Sequence, residues 1–280
     1  MNIKIISDST CDLSKELLEK NNITIVPLTV IKDDQAYTDG ITITTDEIFA
    51  HVDAGGNLCT TTAVSVGEYQ EWFEKFANDY DAVVHINISS EFSSSYQNAC
   101  LAAADFDNVV AIDSRNLSTG QGLVVLKACE LASVVSSKEE MKEKLDAFTP
   151  KVEASFLLDR LDYMVKGGRC SAVVALGANL LNLKPCIEVK NGKMSVVKKY
   201  RGSYAKCLAS YVKDRLSNRD DLNRETLFVT RTPVSDACLE AVENAVNDVA
   251  DFKNIYWTMA GCTVSCHCGP GTLGVLFVRE

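Results

Sequence analysis

The chain has 280 residues with 28 basic and 38 acidic side chains, a formal charge of −10 and a pI near 4.9. That balance disfavours nucleic acid, which is held first by Lys and Arg on phosphates, and a broad anionic membrane footprint, which needs basic clusters. With 46 % hydrophobic and 24 % charged residues the composition is that of a globular protein, and at roughly 100–200 residues per domain it suggests two domains or one large one.

Short apolar runs alternate with amphipathic helical stretches from the N-terminus onward, the rhythm of an α/β fold. Met1 to Asp8 has no apolar run long enough for a signal peptide, which implies the cytoplasm. Ile3 to Ile6 reads as a strand, a helix follows from Leu13, Ile23 to Leu28 is a second strand, and helices lie around Ile48 and Tyr69. Ser65-Val66-Gly67-Glu68 is a capping box, and Ser137 to Glu140 repeats the pattern before Met141 to Phe148. Ala82 to Ile88 is a nearly continuous apolar strand, as at the buried centre of a parallel sheet. A helix from about Tyr96 through Ala104 and a strand at Val109 to Ile112 come next.

After Pro150 the rhythm changes. Cys186 to Lys190 and Met194 to Lys198 flank Asn191-Gly192, a strong β-hairpin signal. Cys170 to Val189 is the most apolar later stretch, but Asn179, Asn182, Lys184 and Pro185 make it a buried segment, not a membrane span. Helices at Tyr204 to Leu216 and Asp236 to Val249 alternate with strands at Thr226 to Thr230, Asn254 to Thr258 and Gly274 to Val278. The expected organisation is a mostly parallel N-terminal α/β domain, residues 1–150, and a mixed α/β domain, residues 151–280.

Several chemistries find no support. Gly269-Pro270-Gly271-Thr272-Leu273-Gly274 fits GxGxxG literally, but only six residues follow it, too few for the helix a dinucleotide site requires. It reads as a glycine turn feeding the last strand, and there is no Walker A, HExxH or GxSxG motif. Eleven cysteines without one CxxC pair argue against a disulfide scaffold and suit small core residues. Cys262, Cys266, His267 and Cys268 form a cysteine-rich loop whose spacing is awkward for tetrahedral zinc, so no metal is expected.

Three hydroxyl-rich turns remain: Ser7 to Thr10, Thr60-Thr61-Thr62, and Ser89 to Ser95. The third lies between a buried strand and a helix, where open α/β sheets bind ligands and free helix amides favour an anion. Serines there also serve as ordinary caps. Asp8 and Asp113 read as loop organisers, His51 as a surface residue and His85 as a strand residue.

Taken in order, Ser7 to Leu13, Thr61-Thr62 through Glu68, Ile88-Ser89-Ser90 through Gln97, Asp113-Ser114-Arg115, Gly167-Gly168-Arg169, Asn182-Leu183-Lys184-Pro185, and His267 with Gly269-Pro270-Gly271 resemble the DegV family of bacterial proteins. The resemblance spans nearly the whole chain. It implies two α/β domains enclosing a long-chain fatty acid, the chain in an apolar tunnel and the carboxylate among hydroxyls. It also implies a non-catalytic role, presenting the acid to a separate cytoplasmic fatty acid kinase, with no cofactor, no nucleic acid and no stable membrane insertion. Carried over by position, the carboxylate ligands would be Thr61 and Ser93, with Thr62, Ser94 and His267 in the same group and Arg169 in the headgroup network or between the domains. Ala63, Val64, Val66, Ser94-Ser95, Arg231 and Cys268 depart from the family's usual residues, which bears on ligand shape and partner choice.

Two other functions compete with that one. Ser93 as nucleophile with His267 as base would make a serine-type lipid hydrolase, although no nucleophile elbow and no clear orienting acid is present. A small-molecule sensor without a kinase partner is the third reading.

Overall fold

The computed structural model describes residues 1–176 and 183–280, so Asn182 of the last-but-one family segment lies outside the described residues. These form a mixed α/β architecture with three sheets. The first is parallel, with its strands in the order Thr24–Val26, Ile3–Asp8, Ala82–Asn87, Val109–Asp113. Every residue of Ala82–Asn87 is buried, the polar His85 and Asn87 included, as its nearly continuous apolar run leads one to expect. The second sheet has six strands in the order Lys193–Arg201, Leu183–Lys190, Val152–Leu157, Leu273–Arg279, Leu222–Arg231, Asn254–Met259. Its neighbours are antiparallel except the last pair, Leu222–Arg231 with Asn254–Met259, which is parallel. The hairpin at Asn191-Gly192 forms with Gly192 at φ +81°, a conformation glycine adopts without cost.

Local signals explain most helix starts. Ser65 accepts from Glu68 N while the Glu68 carboxylate accepts from Ser65 N, a complete capping box opening Val66–Ala77. Ser137 caps Lys138–Phe148 the same way, but Glu140 reaches back to Ser136 N instead. The helix expected from Leu13 begins at Lys15, because Ser14 Oγ accepts from Leu17 N at 3.3 Å and so acts as the cap. Tyr204–Leu216 and Asp236–Val249 stand where the periodicity puts them.

Three features depart from the sequence reading. A small antiparallel sheet, Gln35–Thr38, Thr29–Lys32 and Thr60–Thr62, lies within the N-terminal half, and Thr60–Thr62 is a strand rather than a turn. Its three threonines are β-branched, which suits a pleated strand despite their polarity. The cysteine-rich segment before the final glycines is a helix, Cys262–Cys268, not a loop. The apolar stretch after Cys170 is only partly buried: Cys170 and Val173 are inside, but Val174 on the helix Ser171–Leu176 is 45 % exposed.

The helix Ser118–Leu131 has no counterpart among the expected elements. It packs against the parallel sheet and the six-stranded sheet together, so its first eight residues are buried all around. A helix covered on both faces shows no amphipathic stripe to read.

Candidate functional site

The site lies where the loops at the C-terminal ends of the parallel strands meet the small antiparallel sheet and the helix Cys262–Cys268. An apolar cavity opens there, with about 540 Å³ of empty space counted together with its open mouth. Its polar rim comprises Thr61, Thr62, Ser93, Arg169, Thr263 and His267, and its apolar wall includes Leu28, Phe92, Leu117 and Met194. A second cavity of about 380 Å³ adjoins it, sharing Leu117, Val264 and Cys268, and runs toward Phe156 and Leu276 of the six-stranded sheet.

The strand Thr60–Thr62 holds Thr61 by pairing with Val30. From it Thr61 Oγ1 reaches His267 Nε2 at 2.8 Å. His267 is half-buried, and its Nδ1 is buried with no hydrogen-bond partner. An unpartnered lone pair is tolerated far better than an unpartnered N–H. The favoured tautomer therefore carries its proton on Nε2 and donates to Thr61 Oγ1, which leaves the Thr61 hydroxyl proton free to donate into the cavity. Burial, and then the positive charge of Arg169, push the His267 pKa down to about 4, so the ring is neutral at pH 7. Gly167 makes room for it: a Cβ there would stand 2.5 Å from His267 Nδ1.

Ser93 sits on the turn between the strand Ala82–Asn87 and the helix Ser95–Ala103. Its Oγ accepts from Ser95 N at 3.1 Å and lies 2.8 Å from Ser95 Oγ. Ser93 precedes the N-cap Ser94 and accepts from the first N–H of the helix, and its hydroxyl proton can still point into the cavity it lines. Behind it Asn87 Nδ2 donates to Tyr69 OH at 2.9 Å, part of the buried polar layer under the turn. Arg169 reaches across from the C-terminal half, with Nε 3.4 Å from Phe92 O and Nη1 2.7 Å from Gly167 O.

The structure thus gathers Thr61, Thr62, Ser93, Arg169 and His267 at one cavity. Ser94 is not brought there: it is exposed and outside the cavity lining, because successive residues at a helix start point in different directions. Asp113 accepts from Ser90 N, Ser90 Oγ and Arg115 N, and Asp8 from Thr10, Gln121 and Ile88, so both organise loops behind the site. Among the described residues no three His, Cys, Asp or Glu side chains converge as a metal site.

Sequence reasoning passed over Met194, which the hairpin delivers to the cavity wall, and Asp39. Asp39 is 5 % exposed and accepts from Cys262 N and from Thr263 N and Oγ1 at the start of the histidine's helix. A lone Asp before Gly40 gave no signal of a partner 223 residues away.

The profile of the DegV family, described as uncharacterised proteins, matches residues 2–280. The chain belongs to the DegV family. A DegV domain-containing protein of Clostridium perfringens is 31 % identical over 99 % of both chains. Among solved structures, a DegV family protein from Thermus thermophilus described by its fatty acid binding superposes with a TM-score of 0.91 at 27 % identity, covering 100 % of both chains. A stearic acid-binding protein from Eubacterium ventriosum superposes with a TM-score of 0.82 at 30 % identity, covering 99 % of this chain and 98 % of the other. No helix among the described residues is long and apolar enough to cross a membrane.

Proposed function

We propose that this DegV protein binds one long-chain fatty acid and presents its carboxylate to a separate cytoplasmic fatty acid kinase, without catalysing a reaction itself. The observation that carries this reading is the pairing of a hydroxyl–imidazole cluster with an apolar cavity that adjoins a second one. Fatty acid binding by the Thermus thermophilus and Eubacterium ventriosum proteins supports it.

The energetics are consistent. Removing a carboxylate from water costs several kcal/mol, and a hydrogen bond to a charged group returns roughly 1.5–3 kcal/mol. Thr61 and Ser93 each keep a hydroxyl proton for the carboxylate, and Arg169 adds positive charge at the rim. The chain supplies the affinity, at about 0.8 kcal/mol per buried methylene. Thr62 and Arg169 of the cavity lining are exposed, so a carboxylate oxygen held beside them can meet an incoming phosphoryl group while the tail stays buried. The binding protein contributes position, which governs a transfer between two bound partners.

The hydrolase alternative lacks its geometry. His267 Nε2 faces Thr61, Ser93 Oγ bonds Ser95, and no carboxylate orients Nδ1 as a triad requires. The test of the presenting role is acyl-phosphate formation when the loaded protein is mixed with a fatty acid kinase and ATP. Formation that depends on this protein and falls in Ser93→Ala supports it; binding of the acid without any transfer leaves a carrier or sensor instead.

A further inference from the structure

The helix Cys262–Cys268 has seven residues, too short to hold itself in place in isolation. Its N-cap is Gly261, which has no side chain to satisfy the free amides of the first turn. Those amides are met from across the molecule. Asp39 Oδ1 accepts from Cys262 N at 3.0 Å, and Asp39 Oδ2 accepts from Thr263 N at 3.3 Å and from Thr263 Oγ1 at 2.6 Å. Asp12 Oδ1 takes Gly261 N at 2.8 Å, so close that a Cβ on Gly261 would lie 3.0 Å from it.

Asp39 is tied to the cavity on its other side too. Ser9 Oγ donates to Asp39 Oδ2 at 2.7 Å and accepts from Leu28 N at 3.1 Å. Leu28 and Thr263 both line the cavity, and His267 follows Thr263 by four residues, on the same helix face. One buried carboxylate therefore links the turn at Leu28 to the helix that carries His267.

We infer that Asp39 is the positioning residue of the headgroup site: it sets the register of the helix Cys262–Cys268, and so keeps His267 Nε2 on Thr61 and the Thr61 hydroxyl proton aimed into the cavity. The inference rests on the carboxylate-binding reading of that cavity for its ligand, but not for its geometry. Asp39→Asn keeps the shape and one acceptor while turning an NH₂ group toward the Thr263 and Ser9 donors, which loosens the anchor.

The experiment uses the full chain stripped of bound lipid. Affinities are measured for palmitic acid and for its methyl ester, and the three histidines are followed by ¹⁵N NMR. In Asp39→Asn the acid should weaken by roughly ten- to a hundredfold, the loss expected for a donor to a charged group. The ester should change less than about twofold, since the apolar wall is intact. The His267 nitrogens should move from a single Nε2–H tautomer toward an exchanging mixture. Ser9→Ala, which removes one hydrogen bond to Asp39, should shift the same readouts less, and it decides the matter if Asp39→Asn does not fold. Unchanged His267 resonances in a folded variant, or equal weakening of acid and ester, overturns the inference. A wild-type protein that does not prefer acid over ester would instead defeat the carboxylate reading, with the NMR arm still judging Asp39.

Discussion

Thr61 and His267, 206 positions apart in the chain, meet at 2.8 Å across the mouth of the apolar cavity. The contact joins a strand of the small antiparallel sheet to a helix near the C-terminus, so the headgroup site exists only when both halves of the chain are folded together. It also couples the two side chains energetically. Thr61→Val and His267→Ala should each weaken fatty acid binding by roughly 1.5–3 kcal/mol, and the double variant should lose less than the sum. Calorimetric titration of the four proteins with palmitic acid gives the cycle; strict additivity would mean the two residues act separately.

Gly167→Ala should strike the headgroup site through His267. The new Cβ would stand 2.5 Å from His267 Nδ1, so the ring must move off Thr61. The position is the last of the helix Asp162–Gly167 and its backbone is not left-handed, so alanine carries no strain of its own and is the better helix former. The expected result is a lowered melting temperature, from the displaced ring and its lost hydrogen bond, with acid affinity reduced at least tenfold, read by thermal denaturation beside titration.

Ser93→Ala removes a donor at the cavity but also the acceptor for Ser95 N at the start of the helix Ser95–Ala103. Loss of such a hydrogen bond costs about 1 kcal/mol. The variant should remain folded and still take up acyl chain, while acyl-phosphate formation with a kinase falls sharply. Thr61→Val should share the transfer defect and also lose stability, because the His267 N–H is left without its acceptor, which melting curves of both variants beside the wild type would show.

The pH dependence of stability contains two opposing contributions. Burial raises the Asp12 carboxyl from 3.8 to about 8, so the folded protein holds a proton that the unfolded chain releases. That contribution is complete below about pH 4 and is lost as pH rises toward 8. Burial lowers His267 from 6.5 to about 4 and His85 to about 3. There the unfolded chain takes the proton first, and stability falls as pH drops below about 6.5, by about 1.4 kcal/mol per unit for each ring. Because these offset between about pH 4 and 6.5, differences are decisive. Asp12→Asn should gain on the wild type as pH rises from about 4 to about 8, and His85→Leu as pH falls from about 6.5 to 4. Urea denaturation across that range checks both, and parallel curves would refute the assignments.

What was legible in the sequence followed local chemistry. Ser65 with Glu68, Asn191-Gly192 and the mostly apolar run at Ala82–Asn87 each specify an element within a few residues, and each element is present. Elements stabilised from a distance were misread or invisible. Ser118–Leu131 has two buried faces and so no period, Thr60–Thr62 is a strand only because Thr29–Ile31 pairs with it, and Cys262–Cys268 is capped by Asp39 rather than by its own neighbours. Thr61, Ser93, Arg169 and His267, which a likeness spread over the chain singles out, line one cavity, whereas Ser94, next to Ser93 in that motif, is exposed and outside the lining.

The central claim is that the two adjoining cavities hold a fatty acid. Its most direct test is mass spectrometry of lipid extracted under denaturing conditions from the purified protein, quantified against chain concentration. The account predicts a long-chain fatty acid at close to one per chain, since an alkyl chain buried against the apolar walls is removed from water. Protein that yields no acyl carboxylate and takes up none when titrated with palmitic acid would contradict it.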